Sequence, residues 1–328
     1  MVRRVVLLIL IWLAPLAQAQ VPLPEEADRN RIAEAFHLAD SVQDKVWSGW
    51  SEVPFVLLLV TEDYEYLFRH PYPSDDFQSL GIDPVTDEEI FARENTGAYS
   101  LGFLATFPAV NGVNTVVIGK AQITGKSSTL WAITALHEHF HQLQFTRPWY
   151  YGAVDDLDLS GGDTSGMWQL NYPFPYDSKS VGQAFETLIE VLSPANQRSG
   201  CKASEFSAAM KQLRDTLDEA DFRYLVFQLW QEGVARYTEY AIAKAAAKFH
   251  TPLPEFSGLD DFTPYPEAYE SLLAQQREEM MNLSIADWQR VAFYPLGAGL
   301  ALLQDACSEG WKTRYFEPPY FEQLIFTG

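Results

Sequence analysis

The sequence predicts an α+β fold: a small mixed sheet near the N-terminus, followed by a helix-rich remainder. Strand-like runs are confined to the first ~125 residues, and segments with helical periodicity dominate the rest. Hydrophobic residues make up 47% of the 328-residue chain and aromatics 14%, which indicates a packed globule.

The chain opens MVRRVVLLILIWLAPLAQAQ. Arg3 and Arg4 precede an apolar run, Val5 to Leu16, that is too short to span a bilayer, and Ala17-Gln18-Ala19 gives a small-x-small cleavage signal. Residues 1–19 are therefore expected to be a signal peptide, with the mature protein secreted or periplasmic. Residues 20–125 form the expected helix-plus-sheet lobe and 126–328 the helical lobe, together making one catalytic domain.

Along the first lobe, Ile32, Ala35, Phe36, Ala39, Val42 and Val46 recur at helical spacing within 30–50. PFVLLLV (54–60) reads as a buried strand and YEYLF (64–68) as its partner. AYSLGFLATF (98–107) and NTVVIGKAQ (114–122) read as two more strands joined by a turn at Asn111-Gly112. The latter strand is expected at the sheet edge. SSTLWAITALHEHFHQLQF (127–145) is a helix ended by Pro148, with an apolar stripe of Leu130, Ile133, Leu136, Phe140 and Leu143. Residues 148–180 are rich in Gly, Pro, Asp and aromatics and read as a long structured loop, expected to act as a lid or to cover the helical lobe. Further helices are expected over 180–193, 203–218, 221–248, 265–282 and 285–306.

Net charge is −21, which disfavours nucleic acid and anionic membrane surfaces as partners. The two cysteines, Cys201 and Cys307, can pair in an oxidising compartment, and their spacing leaves the pairing open.

Only six histidines occur, and three fall in ALHEHFHQLQ. His137 and His141, four apart on a helix, share a face and can bind one metal ion, while Glu138 borders that face and is placed to take a proton from water. His139 points away from the pair and is expected in a supporting role. A third ligand is needed. Glu232 and Glu239 in FQLWQEGVARYTEY are candidates, as are Glu186 and Glu190 in GQAFETLIEVL.

These motifs resemble the gluzincins, the HExxH-plus-glutamate zinc metallopeptidases that include thermolysin and the aminopeptidase N family. The aminopeptidase third-ligand helix reads W-x-x-E-G-x-A followed by an aromatic and a second Glu. Here Trp230, Glu232, Gly233, Ala235, Tyr237 and Glu239 match it. The resemblance implies a zincin-like fold with the site between the lobes and Zn²⁺ held by His137, His141 and Glu232. It implies Glu138 as the catalytic base and Glu239 as the group orienting a ligand imidazole. Tyr294 with Gly297, in a Y-x-x-G pattern 62 residues after Glu232, is implied as the oxyanion donor. The implied substrate is a peptide or protein. Two features depart from the pattern: 90 residues separate His141 from Glu232, and the G-x-M-E-N segment that holds a substrate amine is absent. Glu186 remains an alternative ligand, and a silent binding protein or a hydrolase of non-peptide amides or esters remain alternative functions.

Overall fold

The computed structural model describes residues 21–193 and 201–322. The expected signal peptide lies outside the described residues. Within them the chain is mixed α/β, built on one six-stranded sheet. The long helices are numbered here as α1 (Glu26–Val46), α2 (Ser128–Phe145), α3 (Lys179–Leu192), α4 (Ala203–Thr216), α5 (Glu219–Gln228), α6 (Val234–Phe249), α7 (Tyr265–Asn282) and α8 (Phe293–Cys307).

The strands are β1 (Leu57–Val60), β2 (Tyr64–Phe68), β3 (Gln78–Asp83), β4 (Glu88–Glu94), β5 (Leu104–Val110) and β6 (Val113–Gly119), in the spatial order β3-β4-β2-β1-β6-β5. Only β1 and β6 run parallel. Alternation along the strands divides the sheet into two apolar faces. Leu57, Leu59, Phe68, Val116 and Ile118 join the core shared with the helices. Leu58, Val60, Leu67 and Val117 face the other way, where Tyr99, Leu101 and Phe103 cover them.

Six strands replace the four expected from sequence. β3 escapes the pattern because it is largely solvent-facing and its register shifts at Gly81, and β4 alternates only briefly, with Ile90 and Ala92 turned into the core. The β5–β6 turn is where expected: Asn111 and Gly112 both have positive φ, as a two-residue hairpin turn with the twist of its strands requires. The expected edge position of 114–122 is corrected. β6 lies inside the sheet, and β5 forms the edge.

Helix α2 starts at the Ser127 cap, whose hydroxyl accepts from the Leu130 N–H. It is buried on all sides rather than along one stripe, because β5 and β6, α1 and α6 surround it. The core is continuous from the sheet through α1 to the last helices, with no apolar break at residue 125. The segment expected as one helix over 221–248 contains a π-helical turn, Leu229–Gly233, between α5 and α6. The segment expected over 285–306 is broken at Gln289, which has a φ of 49°. No helix among the described residues is long and apolar enough to cross a membrane.

Cys201 and Cys307 form a disulfide that ties the start of α4 to the end of α8 across 106 residues of sequence. A loop of that length makes the cross-link costly to lose. Cys307→Ser is expected to lower stability by about 2–5 kcal/mol, read as a lowered urea midpoint with the far-ultraviolet spectrum retained in buffer.

Candidate metal centre

His137, Glu138 and His141 come together on α2, buried, with one potential ligand atom from each within 4.8 Å of the others. This group can bind a metal ion. The two imidazole rings are 5.0 Å apart, and each is oriented from behind. His137 Nδ1 lies 2.7 Å from Glu239 Oε1, and His141 Nδ1 lies 2.6 Å from Gln144 Oε1. A carboxylate oxygen and an amide oxygen can only accept, so both rings carry hydrogen on Nδ1, which leaves Nε2 as the nitrogen that could meet a metal.

Glu232 comes from the π-helical turn, with its Oε2 3.6 Å from His141 Nε2. Its side chain therefore faces the open nitrogen of the ring. Arg290 approaches its other oxygen at 3.8 Å. Tyr294, on the first turn of α8, donates its hydroxyl hydrogen to Glu232 and accepts from Arg290 Nη1 at 3.2 Å. Its ring is stacked 6.4 Å from His137. On the opposite side, Thr106 of edge strand β5 places its hydroxyl 2.9 Å from Glu138 Oε2 and 2.8 Å from the Glu138 carbonyl.

Backbone approach makes the Glu232–Tyr294 meeting possible. Gly233, next to Glu232, touches Gly297, one turn along α8 from Tyr294. A Cβ on Gly297 would stand 2.5 Å from the Gly233 Cα and 2.6 Å from the Leu229 carbonyl oxygen. Both glycines of the sequence motifs are therefore packing requirements between the π-helical turn and α8.

The electrostatics follow from burial among charges. Burial works against the His137 imidazolium, but Glu239, Glu138 and Glu232 outweigh it and raise its pKa. Burial also opposes ionisation of Glu239, yet Arg236 and His137 bring it down to about 2. For Glu232, burial is again overcome, by His141, Arg290 and His137, so its pKa is lowered. Burial and then Glu232 push the Tyr294 hydroxyl well above its ordinary value, so it remains a proton donor.

Among the residues singled out from sequence, His137, Glu138, His141, Glu232, Glu239 and Tyr294 are thus gathered. His139 lies apart from the site. It stacks on Phe55 with ring centres 4.1 Å apart and contacts Gln142 and Gln43, and burial pushes its pKa down to about 3. Its role is packing of α2 against the 50–55 region. Glu186 and Glu190 are exposed on α3, outside the buried group. The aromatics of 148–180 pack largely on the helical core. Trp149 stacks on Tyr320, Trp168 on Phe227 and Tyr172 on Tyr224, and Phe174 meets Phe293 edge-on. Tyr150 is buried with its hydroxyl on Gln231, so the segment walls the helical core. Arg236 pairs with Glu239 at 3.0 Å and with Glu279 at 3.1 Å, while Arg147 stacks on Phe316. Sequence reasoning missed Arg290, Thr106 and Gln144. The last had a signal: it stands three residues after His141, within reach on the same helix.

Comparison with known protein families, with curated proteins and with solved structures finds no match.

The buried His137, Glu138 and His141 group offers ligand atoms for a metal ion, and the Glu232 carboxylate faces the His141 ring beside it. Glu239→Gln removes the charge that orients His137, so metal affinity is expected to fall about 10–100-fold, measured by competition with a chromogenic chelator. Gly297→Ala is expected to cost about 1–3 kcal/mol in denaturant unfolding and to weaken metal binding as well, because the π-helical turn must shift.

Proposed function

We propose that this chain is an exported zinc-dependent hydrolase, most directly a metallopeptidase of gluzincin type, acting on peptides or proteins. The observation that carries the reading is the fixed tautomer of both imidazoles. Each Nδ1 is held by an acceptor, and Nε2 of His141 faces the Glu232 carboxylate. That is the arrangement of a ligand set.

His137, His141 and Glu232 would hold the zinc. A zinc ion there would supply Lewis-acid polarisation of a scissile carbonyl and of the attacking water. Glu138, steadied by Thr106, takes the proton of that water and returns it to the leaving amine. Tyr294 and Arg290 are the donors nearest Glu232, and they stabilise negative charge developing on the carbonyl oxygen. Edge strand β5, which supplies Thr106, offers backbone groups to an extended chain. The Cys201–Cys307 disulfide fits an oxidising compartment and agrees with the N-terminal signal pattern.

Metal content by plasma mass spectrometry and hydrolysis of labelled casein test this reading together. The wild-type chain is expected to carry about one zinc. Glu138→Gln should keep the metal and lose about 10²–10⁴-fold in rate, whereas Glu232→Ala should lose the metal. A wild-type protein that takes up no zinc, or an unchanged rate in Glu138→Gln, would sink the proposal.

A further inference from the structure

On the far side of α6 from Glu239 lies a cavity of about 480 Å³, within the size range of small-molecule sites. Four of the chain's nine lysines line it: Lys45, Lys244, Lys248 and Lys312. This is the reverse of the molecule's overall balance, which is −21. Asp305 is the single carboxylate on its wall among the described residues, and both its oxygens are already engaged, by the Tyr237 hydroxyl at 2.7 Å and the Trp311 indole N–H at 2.8 Å.

Helix-end electrostatics account for only part of this cluster. Lys45 and Lys248 sit in the last turns of α1 and α6, where the helix dipole favours cations. Lys244 stands one turn before Lys248, and like charges at that spacing destabilise a helix. Lys312 arrives from a different helix and is driven deep between aromatic rings, its Nζ 4.9 Å from the centres of both Trp47 and Tyr237. Its one hydrogen bond among the described residues goes to the Val46 carbonyl, at 3.2 Å. Burial, aided by Lys244 against the pull of Asp305, lowers its pKa to about 8. None of these four lysines has an ion pair within 4.0 Å among the described residues. The remaining walls are apolar and aromatic, with Tyr240, Tyr269, Leu273 and Leu302.

We propose that this cavity binds a small organic polyanion with an apolar or aromatic body. The ring lies against Leu273, Leu302 and Tyr269, and the acid groups meet the lysine amines. Lysines act as mobile point charges rather than rigid forks, so the site accepts carboxylates without demanding one planar geometry. The site is independent of the metal centre and of the activity proposed for it.

Isothermal titration of the purified chain with benzene-1,3,5-tricarboxylate at low ionic strength tests this. One saturable site is expected. It should weaken at least tenfold in the surface double variant Lys244→Gln/Lys248→Gln and in Lys312→Met, with zinc content unchanged in both. The neutral trimethyl ester should fail to bind, and inorganic phosphate should bind at least tenfold more weakly than the tricarboxylate. No saturable binding, or undiminished binding in the folded double variant, would overturn the proposal. Phosphate or ester binding as tight as the tricarboxylate would overturn the paired demand for charge and ring.

Discussion

Keeping carboxylates ionised away from water is the constraint around which the centre is built. Helix α2 is buried almost throughout, and Glu138, Glu232 and Glu239 all end in its interior neighbourhood. An isolated buried carboxylate costs several kcal/mol, and it persists only when charge and hydrogen bonds compensate it. Arg236 bridges Glu239 and Glu279, Arg290 approaches Glu232, and Thr106 serves Glu138. Three carboxylates thus contact two guanidiniums, and Glu138 accepts from a hydroxyl. The buried His137, Glu138 and His141 group could take up a metal ion there, next to a Glu232 carboxylate that faces the His141 ring.

Convergence of that kind demands short distances between backbones. The π-helical turn and α8 meet through Gly233 and Gly297, with no side chain between them. The turn itself departs from regular helix over Leu229–Gly233, and Glu232 lies within it. Such single wide turns recur at functional sites because they re-aim one side chain without ending the helix. Trp230 anchors the turn by stacking on Tyr315 at 4.7 Å, and Gln144 reaches from α2 to its backbone carbonyls. One amide side chain therefore positions His141 and clamps the segment that carries the facing carboxylate.

The sequence revealed what is periodic and local. The α2 pattern, the Ser127 start and the i,i+4 histidines could be read because helical geometry ties them together within one turn. The positions of Glu232, Glu239 and Tyr294 were legible only through spacing that resembles a family. Arg290 was hidden because it lies in what reads as one continuous helix, and the break comes from Gln289 adopting positive φ, which no glycine or proline announces. The β3–β4 hairpin was hidden for a different reason, since β3 faces solvent and β4 buries only Ile90 and Ala92 in alternation. Thr106 could not be found from sequence at all. Its role depends on β5 forming the edge beside α2, a long-range consequence of strand order.

The 90 residues between His141 and Glu232 need not disturb the ligand geometry. Closing a longer loop costs little more than closing a short one, about 0.6 kcal/mol for each doubling. This segment also packs into the shared core: Phe174, Phe185, Phe206 and Leu213 are all buried in it, and the disulfide fastens its α4 to α8. Its aromatic stretch packs on α5 and α8 through Tyr172 against Tyr224 and Phe174 against Phe293. The intervening chain thus buttresses the same two helical segments that deliver Glu232 and Tyr294. A site of this kind is fixed by the contacts of α2, the π-helical turn and α8, and not by the length of chain that joins them.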